Sequence, residues 1–403
     1  MNRFFLSILL IVIGFTAFAQ SSHLYEHTYP TLTGEDVRIR ALMDQVSTDS
    51  LTATIGHLSS YHTRRYDSRF IYDVHDWLVG RYSSLDLDTV ISHPFTMPYA
   101  TSANNVIAIQ RGTLFPDEYV VCGAHYDSFA YDGHDPDTIT SPGADDNATG
   151  VAGIWETARL LSQHTFDRSI IYCNFNAEEC GLYGSAAFAK ECAEQRLDIV
   201  GYFNMDMNGY LEEGSDIHVN LIYVNRDSLL ANYFFDVCHV YYPEMPIRQA
   251  WLLNADSDFS SFNRNGYAAL YPFEDVHTHS PYIHSRDDVM GLSVNNMEQS
   301  KRFAELNLGA VAILAGLNNA AVGDAEGVNL TFYPNPATDQ LHLFSMQGLY
   351  GFKIYNALGQ QMASETLCGD ETFTVDVCGF PAGLYVVSVA TSAGTASKII
   401  VIQ

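Results

Sequence analysis

The chain has 403 residues, 47% of them hydrophobic, with 20 basic against 47 acidic side chains and a formal net charge of −27. That length and apolar content allow one large core plus a small second domain, and they exclude a largely disordered chain. The acidic balance argues against nucleic acid or an anionic membrane surface as a partner and fits a soluble protein outside the cell.

Residues 1–19 read as a secretory signal peptide. Arg3 gives a positive start, Phe4 to Phe18 is apolar, and Ala17-Phe18-Ala19 is a small-x-small cleavage site before Gln20. The apolar run is too short to span a bilayer, and no later segment reaches about 18 uninterrupted apolar residues, so the mature chain has no expected membrane span. Residues 35–85 follow a helical spacing, with Leu51, Ile55, Leu58 and then Val74, Trp77, Leu78. Residues 20–45 are compatible with a prosegment or with the start of the catalytic domain. Beyond them, strands are expected at Asn105–Gln110, Tyr119–Ala124, Ile170–Phe175 and Ile199–Met205. Helices are expected at Thr149–Gln163, Ser185–Gln195, Asp227–Val240 (with Asp227 as N-cap) and Ser293–Leu317. This alternation predicts an α/β fold, a doubly wound mixed sheet flanked by helices, over residues 20–318.

Residues 319–327 are small and polar and read as a linker. From 328 to 403 only short strand signals remain, separated by Gly, Pro and Asn turns, which predicts a small all-β sandwich. The seven cysteines are odd in number and lack CxxC spacing. Cys122 and Cys173 lie in apolar runs as buried thiols, while Cys368 and Cys378 could pair in an oxidising compartment.

Acidic residues and histidines gather at the expected strand ends, where open α/β sheets build their sites. They are His125-Tyr126-Asp127, Gly143-Ala144-Asp145-Asp146-Asn147, Glu178-Glu179-Cys180-Gly181, Asn204-Met205-Asp206 and Ile283-His284-Ser285-Arg286-Asp287-Asp288. Each alone is an ordinary polar turn. Together, two histidines and three carboxylates make an N/O donor set suited to zinc, and one shared carboxylate can hold two ions about 3.5–4 Å apart.

Those five motifs, in this order over roughly residues 45–318, resemble the di-zinc aminopeptidase family, which also contains glutamate carboxypeptidase-like enzymes and glutaminyl cyclases. The run Ile55-Gly56-His57-Leu58 and Tyr271-Pro272-Phe273-Glu274 belong to the same resemblance. It implies a secreted exopeptidase that removes N-terminal residues from peptides, with two zinc ions as cofactors. His125 and Asp206 would hold one ion, Glu179 and His284 the other, and Asp146 would bridge them beside a cis Asp146–Asn147 bond. Glu178 would be the general base acting on a water activated by the metals. Asp127 would accept from the second ring nitrogen of His125, and Asp288 (or its neighbour Asp287) would do the same for His284. His277 and His279 compete with His284 as ligands, but the Pro-Tyr-Ile-His context favours His284. The sequence departs from the family at Ile283, where several relatives carry tyrosine, and at Phe259 in Ser257-Asp258-Phe259. Alternatives on the same fold are a glutaminyl cyclase, a carboxypeptidase using Arg248 or Arg264, and a non-catalytic surface binding protein.

The tail carries Tyr333-Pro334-Asn335-Pro336, Ile354-Tyr355-Asn356-Ala357-Leu358-Gly359, Gly383-Leu384-Tyr385 and Lys398-Ile399-Ile400-Val401. This set resembles the C-terminal sorting domain of the type IX secretion system. The resemblance implies the type IX secretion machinery as a partner and a secreted or cell-surface location.

Overall fold

A computed structural model describes residues 26–98, 102–131, 135–251, 256–317, 330–356, 361–391 and 394–403. The expected signal peptide and linker lie outside the described residues. Among those described, no helix is long and apolar enough to cross a membrane. The chain divides into two compact units, one of Met1–Gln163 with Asp167–Ala315 and one of His164–Phe166 with Gly316–Gln403.

The larger unit is built on an eight-stranded mixed sheet in the order β1-β2-β4-β3-β5-β8-β6-β7. Its strands are β1 Thr89–Thr96, β2 Ser102–Gln110, β3 Phe115–His125, β4 Arg168–Phe175, β5 Asp198–Asn204, β6 Val219–Ile222, β7 Ile247–Ala250 and β8 Ala269–Phe273. The central β4-β3-β5-β8 run is parallel. Ser169–Phe175 and Ile199–Asn204 are buried without interruption, as expected of strands covered on both faces. The chain leaves β3 through α4 (Gly150–Leu161) to β4 on one side, then crosses through α5 (Tyr183–Glu194) to β5 on the other. The direction of winding therefore reverses at β3, and the carboxyl ends of β3, β4, β5 and β8 open at one edge.

Preceding the sheet are α1 (Val37–Met43), α2 (Thr48–Leu58) and α3 (Ile71–Tyr82). Asp36 caps α1 by accepting from Arg38 N. Ile39, Leu42, Met43 and Val46 are buried, with α1 packed on α8 (Met297–Ala315). Upstream, the Tyr29 hydroxyl donates to the Val200 carbonyl at 2.9 Å and its ring stacks on Tyr233.

The long expected strands and helices form within a few residues of their expected bounds. The last helix starts at Met297 rather than Ser293, because Asn296 Oδ1 accepts from Gln299 N and caps it there. Asp227 precedes α6 (Ser228–Tyr241) without capping it; its carboxylate instead accepts from Asn263 Nδ2 (2.6 Å) and Ala269 N (3.0 Å), tying that turn to β8. Strands β1, β6, β7 and β8 and helix α7 (Phe259–Arg264) were not expected from the sequence.

The smaller unit is all antiparallel. Its strands are β9 Leu330–Tyr333, β10 Gln340–Asn356, β11 Gln361–Asp376, β12 Gly383–Thr391 and β13 Gly394–Ile402, in the order β11-β10-β12-β13 with β9 beside β10. The short strand signals within 340–356 belong to one long strand, β10. A register shift between Phe344 and Leu349 lets its first half pair with β9 and its second with β12. Leu341, Leu343, Ile354, Val387, Val389 and Ile400 fill the core. All seven cysteines are free thiols, so Cys368 and Cys378 do not pair.

Candidate metal centre and active site

Four of the six candidates stand where a strand hands over to a loop. His125 ends β3, Glu178 and Glu179 follow β4, and Asp206 lies just past β5. Asp146 sits in the turn Ala144–Thr149 before α4, and the Asp146–Asn147 peptide is cis. His284 is delivered by the loop between β8 and α8. The backbone here is unusual. Ala177, Leu182, Met207 and His284 all have left-handed φ, between 49° and 62°. Such conformations cost of order 1–3 kcal/mol each and persist where surrounding packing holds them.

The Asp146 carboxylate lies at the centre. Its Oδ1 is 3.2 Å from His125 Nε2, and its Oδ2 is 3.1 Å from His284 Nε2. On one side His125 Nε2 also faces Asp206 Oδ1 at 3.5 Å and Glu178 Oε2 at 4.0 Å. On the other, His284 Nε2 faces Glu179 Oε2 at 2.8 Å. Donor atoms of His125, Glu178 and Asp206 lie within 4.8 Å of one another, as do those of His125, Asp146 and Glu179. The structure thus brings together His125, Asp146, Glu178, Glu179, Asp206 and His284. His277 and His279 line the same cavity, of about 670 Å³, but His284 is the histidine against Asp146 and Glu179.

Asp127 is fully buried beneath this cluster. His125 Nδ1 donates to the Asp127 carbonyl at 3.2 Å, with the Asp127 carboxylate 3.5 Å away. A carbonyl only accepts, so Nδ1 carries the hydrogen and Nε2 is the nitrogen turned to the carboxylates. The Asp127 carboxylate also accepts from Glu178 N (3.1 Å) and Glu179 N (3.3 Å), so one side chain aligns two strand ends.

The expected partner of His284 differs. Asp288 accepts from Asp145 N (2.8 Å) and Asp146 N (3.1 Å), so it orients the central turn rather than the ring. The His284 ring instead has its Nδ1 3.4 Å from the Tyr131 hydroxyl and packs edge-on against Phe129 and Tyr131. Two further contributors were missed by sequence reasoning. Ser257 Oγ donates to Asp206 Oδ2 at 2.7 Å, and Glu274 accepts from Tyr210 N and Ser280 N, joining the loops that follow β5 and β8. Both lie in runs that the resemblance already covers, Ser257-Asp258-Phe259 and Tyr271-Pro272-Phe273-Glu274, but residue type and spacing there do not reveal what either side chain bonds to.

Burial raises Glu178 well above the usual carboxylate range, opposed by His125 and reinforced by Glu179 and Asp258. Burial and the Asp146 charge push Glu179 up to about 8. Burial disfavours the charged form of His284, yet Asp146 and Glu179 outweigh it and raise the imidazole to about 12. The site therefore crowds several buried carboxylates around two histidines. Glu179 Oε1 and Asp206 Oδ1 are buried without a hydrogen-bond partner, a costly state for carboxylate oxygens that a divalent cation relieves. Nitrogen and oxygen donors at these positions fit such ions.

The pattern of peptidase family M28 matches residues 105–308, half of the chain, and spans every residue of this cluster. The chain belongs to peptidase family M28. Leucine aminopeptidase 1 of Fusarium vanettenii is 28% identical over 68% of this chain and 73% of its own length. Among solved structures, the LapA aminopeptidase of Legionella pneumophila superposes with a TM-score of 0.62 at 23% identity, covering 73% of this chain and 78% of that one. A Zn-dependent exopeptidase of Parabacteroides distasonis gives 0.52 at 18% identity, covering 66% of this chain and 98% of its own. These likenesses establish the fold. As an M28 peptidase the chain is a hydrolase, a metallo-exopeptidase. Residues 331–403 match a secretion system C-terminal sorting domain, that of the type IX system, so the protein is exported to the surface or beyond.

Proposed function

We propose that the protein is a secreted two-zinc aminopeptidase that releases N-terminal residues from peptides. The observation that carries this reading is Asp146, whose two oxygens each face a different histidine Nε2 at 3.1–3.2 Å. His125 and Asp206 would hold one zinc, Glu179 and His284 the other, with Asp146 available to both. When bound, two zinc ions acidify water, polarise the scissile carbonyl and stabilise developing negative charge. Glu178 takes a proton from the attacking water and gives it to the departing nitrogen as the C–N bond breaks. The raised proton affinity that burial gives Glu178 suits both halves of that transfer. Asp127 keeps His125 Nε2 facing inward through the carbonyl bond to Nδ1.

The cavity's carboxylates favour a free α-amine over a terminal carboxylate. The arginines considered for a carboxypeptidase are already engaged: Arg264 with Asp256 at 2.6 Å and Arg248 with Asp275 at 3.0 Å. The proposed division is a signal peptide at 1–19, a catalytic domain at 20–318, a linker at 319–327 and the sorting domain at 328–403. The deciding experiment measures zinc per chain together with hydrolysis of aminoacyl-anilides and of N-terminally acetylated peptides. About two zincs with release from free N-termini is expected; cleavage of the acetylated peptides instead would overturn the aminopeptidase reading.

A further inference from the structure

Arg64 lies between α2 and α3, outside the five motifs, and its side chain is fully buried. Buried arginines ordinarily pair with carboxylates. This one directs its guanidinium to main-chain carbonyls. Nε donates to Tyr126 O at 2.9 Å, Nη2 to Gly143 O at 2.8 Å, and Nη1 to Leu58 O at 3.2 Å and to Pro142 O. Its own backbone is pinned by Ser128, whose Oγ accepts from Arg64 N and whose N donates to Arg64 O.

Three of the four acceptors belong to the segments that carry the metal centre; the fourth, Leu58 O, ends α2. Tyr126 sits between His125 and Asp127 at the end of β3. Pro142 and Gly143 lead into the turn that holds Asp146. Gly143 has φ of 57°, and a Cβ there would come within 2.8 Å of Arg64 Nη2 and 2.5 Å of the Asp146 carbonyl, so the turn is closed tightly around the guanidinium. Burial draws the Arg64 proton affinity down to about 10, against the pull of Asp288, Asp127, Asp146 and Glu179. It remains a cation at neutral pH.

We infer that Arg64 is a positioning residue for the metal centre: its planar fork fixes the strand end bearing His125 against the turn bearing Asp146, and so sets how tightly both ions are held. This rests on the two-zinc reading above. The fork matters because it presents donors in several fixed directions, whereas a lysine ammonium is one nitrogen on a flexible stem. Arg64→Lys therefore keeps the charge and removes the clamp.

The test uses the full chain, its Arg64→Lys variant and Ser128→Ala, which removes the Oγ contacts that tie Arg64 N to the Ser141 carbonyl at the start of the Pro142-Gly143 segment. Zinc affinity is measured by competition with a chromophoric chelator, beside melting in EDTA and kcat and KM with added zinc. Arg64→Lys is expected to bind zinc about 10–100-fold more weakly, the range for partners that orient metal ligands. Its kcat should recover as zinc is added, with KM unchanged. A lower melting temperature in EDTA with zinc affinity within twofold of the parent would reduce Arg64 to a structural role and overturn the inference. If the lysine variant does not fold, Ser128→Ala decides: an unchanged zinc affinity refutes the clamp, and a weakened one supports it. A parent chain that takes up no zinc overturns the two-zinc reading itself and the role of Arg64 with it.

Discussion

The two histidines of the centre are held in different ways. His125 is 1% exposed, ends a central strand, and has its second nitrogen fixed by the buried Asp127. His284 is 25% exposed, stands on a loop in a left-handed conformation, and leans on Tyr131, itself 75% exposed. One histidine is thus a continuation of the sheet, and the other is carried by a loop. A preformed ligand set loses less conformational freedom when it closes on an ion, so the His125 half should hold its zinc more tightly.

The severest way to break this comparison is to remove what the halves share. Asp146→Ala should lose both zincs and fall to background activity, as read by metal analysis; retention of two ions would refute the bridge. Next, Glu178→Gln should leave both halves loaded while turnover drops about 10²–10⁴-fold, the usual contribution of a positioned acid–base group. A near-normal rate at full zinc would remove Glu178 from the chemistry. Stepwise chelation sharpens the contrast. The His284 half should empty first, and His284→Ala should keep about one zinc per chain; simultaneous loss of both ions would mean that the halves are equivalent. The smallest effect belongs to Tyr131→Phe. Losing one hydroxyl contact, worth about 0.5–1.5 kcal/mol, should weaken the second zinc by roughly tenfold or less and leave the first unchanged.

The half of the centre closest to the sheet was also the easier half to read from sequence. Long apolar strands such as Ile170–Phe175 announce themselves, and polar residues at their ends then mark the mouth of the sheet. All five expected ligands, together with Glu178, meet in one cavity. The supports on the loop side were harder. Asp288 has the right spacing to serve His284, but spacing does not reveal whether a carboxylate turns to a ring or to backbone N–H groups. Tyr131 and Arg64 act across long stretches of chain, and nothing local distinguishes them from any tyrosine or arginine. The short strands β6 and β7 escaped because four residues show too little periodicity, and β1 because five of its eight residues are exposed.

The docking of the first described residues bears on how long the enzyme lasts once outside the cell. A host or bacterial protease that trimmed the chain back to residue 45 would carry away Ile39, Leu42 and Met43, all buried, along with the contacts of Tyr29. Each such side chain is worth about 1.5–3 kcal/mol when buried, comparable in sum to the whole stability of many domains. Trimming that stops before Tyr29 leaves this packing intact. The durable form of the enzyme in a protease-rich medium is therefore one that still carries Tyr29 at its amino-terminal side.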